Sequence, residues 1–463
     1  MKKFITNAWL LFVAMATSVA TSSMLTSCSN SIDEPLQKEN SSQHTAISLL
    51  RTEEEAIDIA IKSLALLDRD VPKSRASLSM IADVTVVRSE TKSRSGAQGD
   101  TLLYAVNFTD NQGFALIPAS KQVPELLAIT ENGNYSAASS QDNPGFNMYM
   151  DISKQFLTNL KTIDPDSVST PLNPDKNNDL GLDFKPFETD PNRQFQEMKE
   201  TEDTTWFYRV MPRVKVRWDQ HPPYGDLAKN KIAGCAPVAM AQCMSFFNHP
   251  KHMNFTFENR ELNELYIDWD ELKLHIEGYY KNCTCPYYKR EINHKHLAHI
   301  IRQIGEDAGS KYDMTTNQTG TRTPSTMNLL RKHGFKVGEL IDYKCENGTN
   351  IKNGLILIRG KGKNKNGQDG AHIWVLDGVK NFVVTHTCFY RKNGSANWEV
   401  MSQSKHKYHF NHFNWGWGGY CDGWFNDMVF NSDNPIDYSY FNQGYVDEGW
   451  NFTQNIKYFT VDL

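Results

Sequence analysis

The chain has 463 residues, a net charge of −5 and a mean hydropathy of −0.56. Its length predicts two or three domains, and so weak a net charge gives no reason to expect nucleic acid as a partner. The low mean hydropathy excludes a membrane protein with several spans, and 19 tyrosines, 10 tryptophans and 24 phenylalanines provide material for a core.

The N-terminus has the pattern of an export signal. A positively charged start is followed by an apolar run, residues 8–20, which is too short to span a bilayer. The run closes on Leu25-Thr26-Ser27-Cys28, which resembles a bacterial lipoprotein signal in which the cysteine is lipidated. We expect residues 1–28 to be this signal, with lipidation at Cys28 and plain secretion as the alternative. Residues 29–45 would then be a tether, and the folded part would lie outside the cytoplasm, at the outer membrane or the cell surface.

Residues 46–163 have the pattern of a small α+β domain. Thr52 followed by Glu55 predicts a capping box at the start of a helix with an apolar face. Short apolar runs separated by turn residues then predict strands. The predicted strands are 81–87, 102–108, 114–118 and 126–130, followed by a helix over 146–160.

Residues 164–204 differ in composition from both flanking regions. Five prolines are spread among many Asp, Asn and Lys residues, with little apolar periodicity. This pattern predicts a linker or processing region. It separates the first domain from a larger one over residues 205–463.

The larger domain shows helical signals first and β signals later. Helices are predicted from Cys235, over 295–308 and over 324–333, and strands over 355–358, 372–376, 382–389 and 408–414. Asp377-Gly378, between two of these strands, is interpreted as a turn. Helices followed by a sheet within one domain predict two packed subdomains with a cleft between them.

A cysteine stands at the start of the first of these helices. In Gly234-Cys235-Ala236-Pro237, the proline suits the first turn, where its missing N–H is no loss. The positive end of the helix dipole favours a thiolate at Cys235, which is the nucleophilic form. A buried structural cysteine is the competing interpretation.

A thiol nucleophile needs a base, a group that orients the base, and donors for the oxyanion. His372 begins an apolar strand after a glycine-rich loop and is the preferred base, with His412 as its closest rival. Asn414-Trp415-Gly416-Trp417-Gly418-Gly419 either packs a core as a tight aromatic turn or orients the base. Gln220 has the side-chain N–H₂ group that an oxyanion hole requires.

These motifs occur in one order along the chain. Trp218-Asp219-Gln220, Gly234-Cys235, His372 to Gly378 and Asn414 to Gly419 together resemble the streptopain family of papain-like cysteine proteases. In the first domain, residues 106–108, 110–115 and 124–127 resemble the inhibitory propeptide of that family.

The resemblance implies a papain-like two-subdomain catalytic domain, preceded by a prodomain that inhibits it until the linker is cut. Cys235 would be the nucleophile and His372 its ion-pair partner, with Gln220 and the Cys235 N–H holding the oxyanion. Asn414 and Trp415 are both candidates for orienting His372. Ala371 stands where the family usually has glycine, which narrows the substrate-binding edge. Proteins or peptides would be the substrates, and no cofactor is implied.

Other functions and other uses of the cysteines stay open. A catalytically inactive adhesin or binding lipoprotein could use the same fold, as could a papain-fold acyl transferase. Cys283 and Cys285, near three histidines, suggest a zinc site, but their spacing is not that of a standard finger and an exported protein could use disulfides instead. We therefore predict no metal and claim no disulfide.

Overall fold

A computed structural model of the chain describes residues 50–67, 75–89, 99–121, 123–136, 143–160, 195–257, 260–277, 287–344, 347–363, 369–392, 396–430 and 456–463. These residues form two compact units. The hairpin unit comprises residues 195–205, 382–392 and 396–407, and the main unit comprises the others. Cys28, the tether and residues 164–194 of the predicted linker lie outside the described residues. No helix in the described ranges is long and apolar enough to cross a bilayer.

The first part of the main unit begins with helix α1 (Glu53–Ser63). The predicted capping box is confirmed, because Glu55 N donates to Thr52 Oγ1 (3.2 Å) and Thr52 N donates to Glu55 Oε2 (2.8 Å). The strands and the second helix also occur where the sequence predicts them. They are β1 (Ile81–Arg88), β2 (Thr101–Phe108), β3 (Phe114–Pro118), β4 (Ala128–Thr130) and α2 (Pro144–Leu160).

The rest of the chain begins with a strand that lies partly in the predicted linker, since residues 195–204 belong to β5 (Phe195–Val210). The helical elements follow, and then the strands. In chain order they are α3 (Cys235–Phe247), β6 (His252–Phe257), β7 (Arg260–Tyr266), α4 (Trp269–Glu277), α5 (Tyr287–Asp307), β8 (Lys311–Asp313), β9 (Gln318–Gly320), α6 (Thr323–Lys332), β10 (Lys336–Val337), β11 (Ile341–Asp342), β12 (Leu355–Lys363), β13 (Asp369–Lys392), β14 (Glu399–Asn414), β15 (Gly423–Asn426) and β16 (Lys457–Asp462).

Helix α3 is the centre of the helical half. Every residue from Ala236 to Ser245 is buried, and α4, α5 and α6 pack around the helix. The helix begins at Cys235, as the sequence predicts. Gly234 precedes it with φ of 93°, a backbone conformation that glycine adopts without strain. A Cβ at Gly234 would also lie 2.8 Å from Thr319 Cγ2, so only glycine fits this approach.

One sheet runs through the main unit in the order β1-β2-β3-β4-β15-β14-β13-β12-β16-β10. Its central junction is the antiparallel pair β4–β15, in which Gly423 lies opposite Thr130, Trp424 opposite Ile129, and Phe425 opposite Ala128. The sheet is therefore continuous from residues 46–163, the predicted prodomain, into the predicted catalytic domain.

The central strands of this sheet are buried on both faces. Successive side chains of a strand point to opposite faces. On β13, Trp374 and Leu376 pack in one hydrophobic core with Phe146 of α2, whereas Ile373 and Val375 pack in a second core with the helical half. The sheet thus separates the α2 side from the α3 side, and His372 shares its face with Trp374.

The predicted turn at Asp377-Gly378 is wrong, because β13 continues through these residues from Asp369 to Lys392. Glycine is needed here for close packing. A Cβ at Gly378 would lie 2.9 Å from His412 Cβ and 3.1 Å from the Trp424 ring. The buried Asp377 carboxylate accepts a hydrogen bond from Val214 N (2.8 Å). The dipeptide that resembles a turn is therefore fixed in a strand by its tertiary neighbours.

The hairpin unit is held together by polar contacts between its strands. Cys388 Sγ lies 3.7 Å from Glu200 Oε1, and Gln403 Nε2 donates to Thr387 Oγ1 (3.1 Å). These contacts connect the hairpin-unit residues of β13 with those of β5 and β14.

Candidate active site

Cys235 lies where the helical half meets the sheet. The residue is partly exposed, but its thiol is buried and has not formed a disulfide. The thiol lies beside the backbone of Ile373, which follows His372 on β13. Burial raises the pKa of the thiol above its ordinary value, and hydrogen bonds from the backbone of Ile373 and Ala236 oppose this shift only in part. In the state described, Cys235 is therefore a neutral thiol.

Gln220 lies on the segment that runs beside the start of α3. Its carbonyl oxygen accepts a hydrogen bond from Ala233 N (2.8 Å), two positions before Cys235. The Gln220 side chain is buried, and in the part of the chain that the structure describes its Nε2 has no hydrogen-bond partner. A buried donor without an acceptor costs about 1–3 kcal/mol, so this amide is an available donor at the position that the sequence predicts.

His372 is buried on the face of β13 opposite the α3 side. Its Nε2 donates to the carbonyl oxygen of Trp415 (3.0 Å), because a carbonyl can only accept. In the neutral ring this tautomer leaves the lone pair on Nδ1. Burial lowers the pKa of His372 to about 4, so the imidazole is neutral near pH 7.

Aromatic side chains surround the His372 ring. It stacks on Trp374, with ring centroids 6.0 Å apart and planes 16° apart, and meets Trp417 edge-on at 6.4 Å. These rings exclude water from the bond to Trp415, which strengthens it.

The Trp415 peptide that holds His372 is itself fixed on both sides. Its N–H donates to Asp422 Oδ1 (2.9 Å), and its indole Nε1 donates to the Cys421 carbonyl (2.9 Å). Burial raises the pKa of Asp422 to about 7, and the hydrogen bond from Trp415 opposes that shift. Trp415 thus contacts His372 through its backbone, with a rigid loop behind it.

Asn414, the other candidate orienter, is placed differently. Its side-chain oxygen accepts hydrogen bonds from Gln242 Nε2 (2.8 Å) and Gly416 N (3.1 Å), and its Nδ2 donates to Val216 O (2.9 Å). The amide is buried. These three bonds link helix α3, the loop and the segment leading to Gln220, whereas the His372 ring is held by the Trp415 carbonyl.

Ala371, the candidate substrate-binding residue, is exposed at the start of β13. It pairs with Lys361 on β12, and His372 pairs with Gly360. A small, exposed side chain therefore stands immediately before His372.

Residues of the predicted prodomain cover His372, the candidate base. Asn143 caps α2, with its Oδ1 accepting from the N–H groups of Gly145 and Phe146 (both 3.1 Å), and its Nδ2 donates to Tyr420 O (3.1 Å). Gly145 then lies directly on the site: a Cβ there would be 2.7 Å from His372 Cδ2 and closer still to the Trp415 indole. The absence of a side chain at Gly145 is what lets the helix start approach so closely.

His412, the rival base, has a different environment. Its Nδ1 lies 2.6 Å from the buried Asp377 Oδ1, and its Nε2 lies 3.3 Å from Oε1 of Glu131, which follows β4. Burial lowers the pKa of His412, but the two carboxylates outweigh burial and raise the pKa to about 10. Glu131 is also 3.6 Å from Arg217. His412 is therefore a charged group that connects the two predicted domains.

The sequence does not assign a role to several of these residues. Gly145 and Glu131 are remote in sequence from these residues, and the packing of α2 and the β4–β15 junction bring them close. Gln242 carries a weak signal, because it is a carboxamide in a helix otherwise built of apolar and small residues. Asp422 has no distinguishing pattern around it.

Metal binding receives no support within the described ranges, where no group of three or more His, Cys, Asp or Glu side chains could hold an ion. The zinc interpretation depends on Cys283 and Cys285, which lie outside the described residues.

Two family profiles match the chain. Residues 218–425 match the "Peptidase C10 family", and residues 49–156 match the "Spi protease inhibitor". Both ranges fall within the predicted catalytic domain and prodomain, respectively. Comparison with curated proteins gave no match.

Solved structures of two related forms resemble the chain. A fragment of prointerpain A from Prevotella intermedia, with a cysteine-to-alanine substitution, is 19% identical, with a TM-score of 0.45 over 82% of this chain and 98% of that chain. Active wild-type interpain A, a cysteine protease from the same organism, is 20% identical, with a TM-score of 0.34 over 55% of this chain and 95% of that chain.

Proposed function

The chain is a cysteine peptidase of the C10 family with a Spi-type inhibitor domain before its catalytic domain, and we propose that Cys235 is its nucleophile and His372 its base. The substrate is the peptide bond of a protein or peptide. The observation that carries the assignment is the buried Gln220 amide. The Gln220 backbone is held beside Cys235 by its bond to Ala233, and the side-chain Nε2 has no acceptor among the residues that the structure describes. A donor kept unpaired there fits the oxyanion of acyl transfer.

The proposed reaction takes place after α2 has left, when the His372 ring can turn from the α2 side of β13 towards Cys235. It begins with proton transfer from Cys235 Sγ to His372 Nδ1, the nitrogen that carries the lone pair when Nε2 donates to Trp415. The thiolate attacks the peptide carbonyl carbon, and Gln220 Nε2 and the Cys235 N–H stabilise the oxyanion. The imidazolium then returns its proton to the leaving amine as the C–N bond breaks. Water, deprotonated by His372, hydrolyses the thioester and restores the thiol.

The precursor described here is held latent by its first domain. Gly145 packs on His372, and burial shifts both pKa values toward the neutral thiol and the neutral imidazole. Both shifts oppose the thiolate–imidazolium pair that the reaction needs. Removal of α2 would expose His372 to water and relax the lowering of its pKa.

The test is to express the wild type beside Cys235→Ala and Cys243→Ala. Cys243 is the matched control, because it is a buried free cysteine on the same helix and burial raises its pKa strongly. We expect the wild type and Cys243→Ala to shorten to a fragment that begins near the linker, while Cys235→Ala stays full length. A thiol-directed epoxide inhibitor should label the first two after processing.

Peptidase activity that persists in Cys235→Ala would remove Cys235 as the nucleophile. Failure of the epoxide to label the processed wild type under reducing conditions would instead favour an inactive binding protein on this fold. Acyl transfer to amines without cleavage of unfolded protein would favour an acyl transferase.

We further propose that the precursor is exported and lipidated at Cys28, at the outer membrane or cell surface. The support is the short apolar run ending in Leu25-Thr26-Ser27-Cys28. Cells given radiolabelled palmitate should label the wild type, and Cys28→Ser should lose the label and leave the membrane fraction. Label retained in Cys28→Ser would contradict lipidation, and secretion of an unlabelled wild type would favour plain export.

A further inference from the structure

Helix α3 carries a buried carboxamide, Gln242, that packing within the helical half does not require. Gln242 lies two helical turns after Cys235 and is fully buried. Its Nε2 donates to Asn414 Oδ1 (2.8 Å), but among the described residues its Oε1 has no hydrogen-bond partner. Burying an unpaired amide acceptor is unfavourable, and an apolar side chain would serve packing better at this position.

The contact that Gln242 makes reaches the other parts of the site. Asn414 accepts its hydrogen bond and also donates to Val216 O, four residues before Gln220. The same Asn414 oxygen accepts from Gly416 N, next to Trp415, whose carbonyl holds His372. A single buried amide pair therefore connects the nucleophile helix, the Gln220 segment and the Trp415 loop.

We propose that Gln242 is a positioning residue that acts through Asn414 to set the spacing of Cys235, Gln220 and the Trp415 carbonyl. The inference rests on the proposed roles of Cys235 and His372. Gln242 touches neither substrate nor reacting atoms. Its effect is geometric, and a displacement of about 1 Å in such a site can cost roughly 100-fold in rate.

The test compares Gln242→Met with Ser245→Ala in the full chain, processed by added wild-type enzyme where a variant does not mature. Methionine fills the same volume without the hydrogen bond. Ser245 is the matched control, because it is buried on the same helix and its hydroxyl donates to the Gln242 carbonyl (2.7 Å), within the helix itself. Should Gln242→Met not fold, Gln242→Asn keeps an amide that is too short to reach Asn414.

We expect Gln242→Met to lower kcat roughly 30- to 100-fold with KM within about threefold, while Ser245→Ala stays near the wild type. The rate at which iodoacetamide alkylates Cys235 as a function of pH should also shift, a readout that a purely structural loss would not move. In a double-mutant cycle with Asn414→Leu, the two losses should be strongly non-additive.

Equal kcat in Gln242→Met and Ser245→Ala would overturn the proposal, and so would additive losses in the cycle. Failure of the underlying assignment would look different, because Cys235→Ala would then remain active whatever Gln242 does.

Discussion

Two buried histidines face the first domain of this chain, and they are held in opposite charge states. His372 donates to a backbone carbonyl, that of Trp415, and burial lowers its pKa to about 4. His412 lies between the carboxylates of Asp377 and Glu131, and its pKa is raised to about 10. Burial is equally complete at both, so the partner decides the charge.

The difference shows that the first domain contacts the catalytic domain in two ways. At His372 it covers the ring with the backbone at Gly145. At His412 it supplies a carboxylate, Glu131, to a ring that already has Asp377. In the proposed mechanism the first contact suppresses chemistry, while the second adds an ion pair between the two domains. Each can be altered without the other.

The largest expected effect is a difference in peptidase activity between variants of the two histidines. In the processed enzyme, His372→Gln should lose about 10⁴-fold in kcat/KM, because no group remains to take the thiol proton. His412→Gln should stay within about tenfold of the wild type. Initial rates on a peptide substrate measure both. Comparable losses in the two variants would mean that His412 takes part in the chemistry.

The second effect concerns the cover over His372. Gly145→Val in the full chain should raise the rate of maturation roughly 10- to 100-fold, because overpacking at this contact costs about 1–3 kcal/mol of prodomain docking. Gly320→Val is the control, since a side chain there would enter open space. Densitometry of precursor and product over time measures the rate. An unchanged rate in Gly145→Val would show that the contact does not limit activation.

The third effect concerns the charged contact. In a Cys235→Ala background, which we expect to prevent processing, His412→Gln should lower the free energy of unfolding by about 3 kcal/mol, because it removes the charged partner of the buried Asp377 carboxylate. Glu131→Gln should cost less, and Glu125→Gln, which changes an exposed carboxylate just before β4, should cost almost nothing. Urea unfolding measures all three. Equal losses for Glu131→Gln and Glu125→Gln would contradict the role of Glu131.

The smallest effect is a pH dependence of opposite sign at the two rings. Because the pKa of His372 is lowered, the unfolded state binds more protons than the folded state between pH 6.5 and about 4. The free energy of unfolding therefore decreases as pH falls through this window. The pKa of His412 is raised, so the stabilisation that this residue gives the folded state is lost as pH rises from 6.5 to about 10. In the same background, the difference from His372→Gln should change only on the acid side, and that from His412→Gln only on the alkaline side. Unfolding midpoints measured at each pH test both signs.

Local sequence signals predicted the elements well where local physics decides. The capping box at Thr52, the helix beginning at Cys235 and the first-domain strands depend on neighbours in sequence, and each occurs near its predicted place. Asp377-Gly378 failed because its conformation is set by His412 and Trp424, which lie far away in the chain. Local turn propensity contributes less to the backbone conformation than such tertiary packing does.

The sequence predicted the residue types of the candidate site but not the hydrogen bonds between them. The order of Gln220, Cys235, His372 and the aromatic loop proposes a chemistry, yet it cannot say whether Asn414 or the Trp415 backbone meets His372. A contact made by a backbone carbonyl cannot be predicted from residue type, since every residue has such a carbonyl. The contact at Gly145 could not be predicted either, because it depends on a missing side chain at a place where two distant segments meet only after folding.

The β4–β15 pairing has a consequence for the order of events in activation. Cutting the chain between residues 164 and 204 removes none of the hydrogen bonds between these strands, so the cut precursor is still held together by its sheet. Before the cut the inhibitor is intramolecular and its occupancy is independent of dilution. After the cut the inhibitor is a separate molecule, so it can dissociate on dilution, and the freed edge of β15 can bind it again. Dilution therefore becomes part of activation, and a concentrated sample of cleaved enzyme stays partly inhibited by its own product.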